Sequence, residues 1–295
     1  MESKPKTRIF SVFLFLIYTI TLIGFFYYLA DGLDFYKTSY TERPHHPDYQ
    51  TIKPGGVQGH GLGVIGTIML ILLLIYSLRK RIKLFWRLGA ISRWLDIHIF
   101  LGIMGPLFII LHTSFKLNGI VAVSFWSMIT VALSGVLGRY LYLQIPINIR
   151  GDELSFEETE KIDRQLNQQL VTSYPLREES LSKIQNFIIG EVNPNKSLLG
   201  ILFSLFISDF SKIFKYQRIR KSLINIVDIS PHQAKEFIKI VRYKAILSRR
   251  ILLWKKIHNL FHYWHVIHKP FALIMYLIMI IHVTITVILG YTWIF

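Results

Sequence analysis

The chain has 295 residues, a formal net charge of +16 and no cysteine. It therefore forms no disulfide, thiolate metal site, covalently attached c-type haem or iron–sulfur cluster of its own. Apolar residues make up 52% and the mean hydropathy is positive, which points to a membrane protein. The basic excess then belongs to loops beside an anionic leaflet, and no nucleic-acid-binding motif appears that would claim it.

Five apolar runs are long enough to cross a bilayer, which takes about 20 residues: 9–30, 61–78, 94–115, 119–143 and 269–293. The first follows MESKPKTR, is too long for a signal-peptide core and reads as an uncleaved helix. Loop charges set the orientation. Lys4, Lys6 and Arg8 precede the first span, and Arg79, Lys80, Arg81, Lys83, Arg87 and Arg93 separate the second from the third without an acid among them. Residues 31–60 instead carry Asp31, Asp34, Glu42 and Asp48. The positive-inside rule then makes the N-terminus and the 79–93 loop cytoplasmic, as in a bacterial-type inner membrane, and the C-terminus external.

Between spans four and five lies a polar, basic insertion. Ser155 and Glu158 suit a capping box. Ser230, Pro231 and Gln233 form another helix start, and no glycine or proline interrupts the stretch from Ala234 to His268. That helix can lead straight into span five. The run 198–210 is too short to span and carries Asp209; it reads as a buried or interfacial helix. The expected fold is all-α, an integral membrane helical bundle of about five transmembrane helices with a helical cytoplasmic insertion. Its parts are 1–143, 144–265 and 266–295.

Span three reads WLDIHIFLGIMGPLFIILHTSF and places His98 and His112 14 residues apart. Fourteen helical residues rise about 21 Å and turn about 320° net, so both rings share one face at different membrane depths. Span five repeats the interval with His268 and His282. The two spans run in the same direction. His98 then meets His268 near the cytoplasmic side, and His112 meets His282 near the outer side. One intramembrane histidine can simply bond a neighbouring helix. Two matched pairs are harder to explain that way. Imidazole is a common axial ligand of haem iron, and a flat macrocycle fits between two helices. A zinc site or proton relay needs clustered ligands or carboxylates, and only Asp96 lies near.

These paired intervals resemble the transmembrane cytochrome b proteins. Closest in layout are the ferric reductase-like and NADPH-oxidase-like membrane domains; quinol-oxidising cytochrome b has similar spacing. The resemblance covers about 60–143 and 265–293. It implies two haem b held by His98, His112, His268 and His282, and electron transfer across the membrane. It does not extend to flavin or nicotinamide domains, so a redox partner protein or quinol is the implied donor. A quinone-reactive anchor subunit, or a haem-free transporter or scaffold, remain the alternatives.

Several residues stay open. His265 can replace His268, although its 17-residue interval to His282 corresponds to about 25 Å. Arg93 and Arg139 can bind haem propionates or simply flank a membrane span. His258 and His262, one turn apart, can hold a metal or form a solvated face. His45, His46 and His60 lie outside. Gly61 to Gly66 matches a dinucleotide motif by letter but opens an apolar helix. Like Gly102 and Gly105, these glycines read as close-approach positions. Pro106 is expected to kink span three.

Overall fold

The computed structural model describes residues 5–146, 153–173, 195–209 and 231–291. The chain is all-α, with no strand among the described residues. In chain order the helices are α1 (Pro5–Asp31), α2 (Leu33–Lys37), α3 (Tyr49–Ile52), α4 (Val57–Arg81), α5 (Ile91–His112), α6 (Gly119–Tyr142), α7 (Phe156–Ser173), α8 (Leu198–Asp209), α9 (Pro231–Leu252) and α10 (Trp254–Ile288), with short 3-10 turns at Arg43–His45 and Lys83–Arg87. Five of them, α1, α4, α5, α6 and α10, are long and apolar enough to cross a membrane. The protein is an integral membrane protein by this architecture.

The chain forms two compact units. One comprises Met1–Arg139 with Trp264–Phe295, the other Tyr140–Tyr263. In the first unit α4 and α5 are the most closely packed pair. A Cβ on Gly66 would stand 3.0 Å from the Gly105 carbonyl oxygen and 2.7 Å from Ile109 Cδ1, so the small residues let two backbones meet. The core gathers Leu62, Met69, Leu70, Phe100, Met104, Phe108 and Leu111, with Met128 and Met275 from α6 and α10. Tyr18 of α1 packs edge-on against Phe100 at 4.7 Å. Tyr276 of α10 donates to the Leu70 carbonyl at 2.6 Å, and Ser124 of α6 donates to the Met275 carbonyl at 3.1 Å.

Span three ends at His112 rather than Phe115. Ser114 (φ 48°) and Phe115 (φ 62°) adopt left-handed backbone, a conformation that non-glycine residues take only when their surroundings impose it. The loop from Gly32 to Gly56 imposes it. Arg43 is 7% exposed. It donates to the carbonyls of Ser114 (2.6 Å), Tyr36 (2.7 Å) and Thr38 (3.0 Å). Ser114 Oγ donates to the Ile52 carbonyl and Tyr40 to the Phe115 carbonyl.

Span five also differs from its expected limits. Helix α10 begins at Trp254 and ends at Ile288, not 269–293; residues 292–295 lie outside the described set. A single turn residue, Leu253, separates α9 from α10, and helical bonding runs on through it, from Leu253 N–H to the Arg249 carbonyl at 3.0 Å and from Ile257 N–H to the Leu253 carbonyl at 2.9 Å, so the stretch expected from Ala234 onward leads into span five. The second span starts at Val57, one turn before Gly61.

The second unit shows the expected capping box at α7. Glu158 N–H donates to Ser155 Oγ at 3.2 Å, and Ser155 N–H donates to the Glu158 carboxylate at 2.8 Å. Helix α9 starts at Pro231; Ser230 lies outside the described residues. Lys244 is buried and pairs with Asp163 at 3.2 Å, while Ser248 donates to the same carboxylate at 2.7 Å. Arg249, 3% exposed, donates to Asp209 (2.9 Å) and Gln144 (3.0 Å).

Candidate functional site

Helices α5 and α10 each carry two of the four intramembrane histidines, and each of those on α5 has one on α10 as an electrostatic neighbour: His98 has His268, and His112 has His282, with His265 and His60 as further neighbours. Within each helix the pair is separated by 14 residues, about 21 Å of rise. All four rings are half-buried.

Three of the four imidazoles are seated in the same way. His112 Nδ1 is 2.8 Å from the Gly59 carbonyl oxygen, and His98 Nδ1 is 3.3 Å from the Leu73 carbonyl oxygen. A carbonyl only accepts, so each Nδ1 carries the proton and each Nε2 keeps its lone pair. His268 Nδ1 is 2.8 Å from Ser134 Oγ. That hydroxyl donates to the Val131 carbonyl at 2.9 Å, so it accepts from His268.

Glycines make room for these seats. A Cβ on Gly63 would lie 2.5 Å from His112 Nδ1. Gly59 and Gly63, one turn apart on α4, therefore give one ring both its acceptor and its floor. On α6, Gly138 lets the Trp264 indole lie directly against the backbone. Trp264 Nε1 donates to the Ser134 carbonyl at 2.6 Å, and its ring is 4.8 Å from that of His268. Ser134 thus fixes both aromatic side chains, and Gly135 faces the His268 ring at 4.0 Å.

The tautomers of these imidazoles are those that ligation of a haem iron would require. Among the described residues no group of three or more His, Asp or Glu side chains can hold a metal ion. A haem needs only two protein ligands per iron, each a neutral imidazole with a free Nε2 and its other nitrogen anchored to an oxygen. His98, His112 and His268 meet the tautomer requirement.

The neighbouring residues fall differently. Arg139 pairs with Asp96 at 3.0 Å, each about a third exposed, so the arginine expected at a propionate already bridges α6 to α5. Arg93 stacks over Phe10 at 5.6 Å. His60 is in electrostatic reach of both His112 and His282. His46 is held by Asp34 at 3.1 Å and accepts from the Asp48 N–H. The His258 Nδ1 caps the Trp254 carbonyl of its own helix at 2.9 Å, while His262 is exposed. His265 packs edge-on against Trp264 at 4.5 Å. The GLGVIG string lies inside α4, between helical residues on both sides.

No protein-family model, no curated protein and no solved structure matches the chain. The resemblance to cytochrome b proteins therefore rests on histidine spacing alone.

Proposed function

We propose that the protein is an integral-membrane electron-transfer protein of the di-haem cytochrome b type. The observation that carries this reading is the common seat of His98, His112 and His268: each gives its Nδ1 proton to a helix oxygen, at two membrane depths, beside a partner histidine. His98 and His268 would hold one haem b, and His112 and His282 the other. When bound, the two haems supply one-electron carriage between the membrane faces.

The chain's own residues do the holding. The carbonyls of Gly59 and Leu73 and the hydroxyl of Ser134 select the Nδ1–H tautomer, orient each ring and raise the basicity of Nε2. Two histidines at each iron would leave no position there for a substrate, so the chain's residues would serve electron transfer alone. The apolar walls of α4, α5 and α10 exclude water from the Leu70–Tyr276 level between the pairs.

Loop charge supports a bacterial-type inner membrane with the N-terminus and the second unit cytoplasmic. A redox partner protein or quinol is the electron donor in this reading.

The experiment is haem content per chain in single variants of purified protein. His112→Ala and His282→Ala should each lose one haem and keep part of the other. Unchanged content in either variant contradicts the ligand assignment.

A further inference from the structure

Helix α8 is apolar on two opposite faces, and among the described residues only one is packed against protein. Ile201 and Leu205 are 0% and 1% exposed, packed with Ile145, Leu253 and Ile257. On the other side Leu199 (76%), Phe203 (67%), Phe206 (60%) and Ile207 (50%) are exposed. At 100° per residue these four occupy an arc of about 100°, roughly opposite the buried pair. A helix with two apolar faces is stable in water only if both are covered.

What covers the second face follows from where the helix is tied. The Tyr140 hydroxyl donates to Asp209 at 3.0 Å, and Gln144 Nε2 donates to the same carboxylate at 3.1 Å. Phe206 packs edge-on against the Tyr140 ring at 6.1 Å. Tyr140 sits in the last turn of α6, a membrane-spanning helix. The C-terminal end of α8 is therefore at the depth where α6 leaves the bilayer. Leu143, just beyond α6, is itself 51% exposed. Twelve residues measure only about 18 Å, so α8 cannot cross.

We infer that α8 is an in-plane helix of the membrane surface, with Leu199, Phe203, Phe206 and Ile207 set into the boundary between lipid headgroups and acyl chains. This inference does not depend on haem. It assigns the second unit a lipid-binding face and sets the Asp209–Arg249 pair at headgroup level, where its polar partners replace water.

The natural absence of cysteine makes the test direct. Phe203→Cys and Phe206→Cys variants of the full chain carry a nitroxide in phosphatidylcholine–phosphatidylglycerol nanodiscs. Collision with molecular oxygen, which concentrates in lipid, is compared with collision by a water-soluble nickel chelate. Leu277→Cys, on the exposed side of α10, and Gln168→Cys, on exposed α7, serve as lipid and water references. Both α8 labels should show an oxygen-to-nickel ratio several-fold above that at 168 and below that at 277, which sits near the middle of span five. A ratio like that at 168 overturns the inference. So does shielding from both reagents, which would mean that protein rather than lipid covers the face.

Discussion

The imidazole of His112 rests on Gly63: a methyl group built there would meet Nδ1 at 2.5 Å. The ring cannot keep its bond to the Gly59 carbonyl and admit a side chain at 63. Gly63→Ala should therefore lose the haem of the His112–His282 level while the His98–His268 level remains. Overpacking of this kind costs about 1–3 kcal/mol, so the bundle should stay folded. Haem content and helical circular dichroism, measured together, check both halves. Full haem content in the alanine variant would show that the seat is irrelevant to ligation.

Gly138 gives the opposite expectation. Its substitution by alanine displaces Trp264, which shares Ser134 with His268. Gly138→Ala should affect the inner level and spare the outer one. Low-temperature reduced spectra, in which two haem b components separate, distinguish the two variants. Loss of the same component in both would contradict the assignment of levels.

The positions of the histidines are legible in the sequence because a 14-residue interval, repeated in two apolar runs, returns to one helical face. Their seats are not. Every helical residue owns a carbonyl, so nothing in the letters marks Gly59 and Leu73 as acceptors, and Ser134 looks like any small residue in an apolar helix. Gly59, Gly63 and Gly66 announce close approach but not what approaches. The end of α5 is also hidden. A left-handed turn is normally signalled by glycine, whereas here Ser114 and Phe115 are forced into it by Arg43, 71 residues away from Ser114 in sequence. The capping box at Ser155 and the five apolar runs are local signals, and the structure follows them.

Arg43 should be a stability residue. Its guanidinium satisfies three carbonyls, two of them in the loop and one in the left-handed turn after His112. Arg43→Ala leaves these acceptors unpaired in a buried site and should destabilise the protein by about 2–4 kcal/mol. Arg43→Lys should recover little, because an ammonium cannot reach three divergent oxygens as the planar fork does. Thermal unfolding in detergent reads both. Wild-type stability in Arg43→Ala would contradict the account of the turn.

Tyr36 gives a pH-dependent expectation. Its hydroxyl is buried without a hydrogen-bond partner among the described residues, and burial pushes its pKa up from 10 to about 12. The folded state then holds the proton more tightly than the unfolded chain. This favours folding below about pH 10, the unfolded value, and is lost as pH rises through about 12. Tyr36→Phe removes the orphaned hydroxyl, so it should be neutral or stabilising at pH 7 and should flatten the alkaline loss. Thermal melts of both proteins from pH 7 to pH 11 check the sign. An alkaline loss of equal size in Tyr36→Phe would assign it to another group.

The central claim is tested most directly by the visible spectrum of the purified, unmodified protein in lipid, oxidised and then reduced with dithionite. The account predicts a sharp b-type alpha band on reduction, with pyridine haemochrome giving two haem b per chain. A purified, folded chain with no alpha band would contradict it.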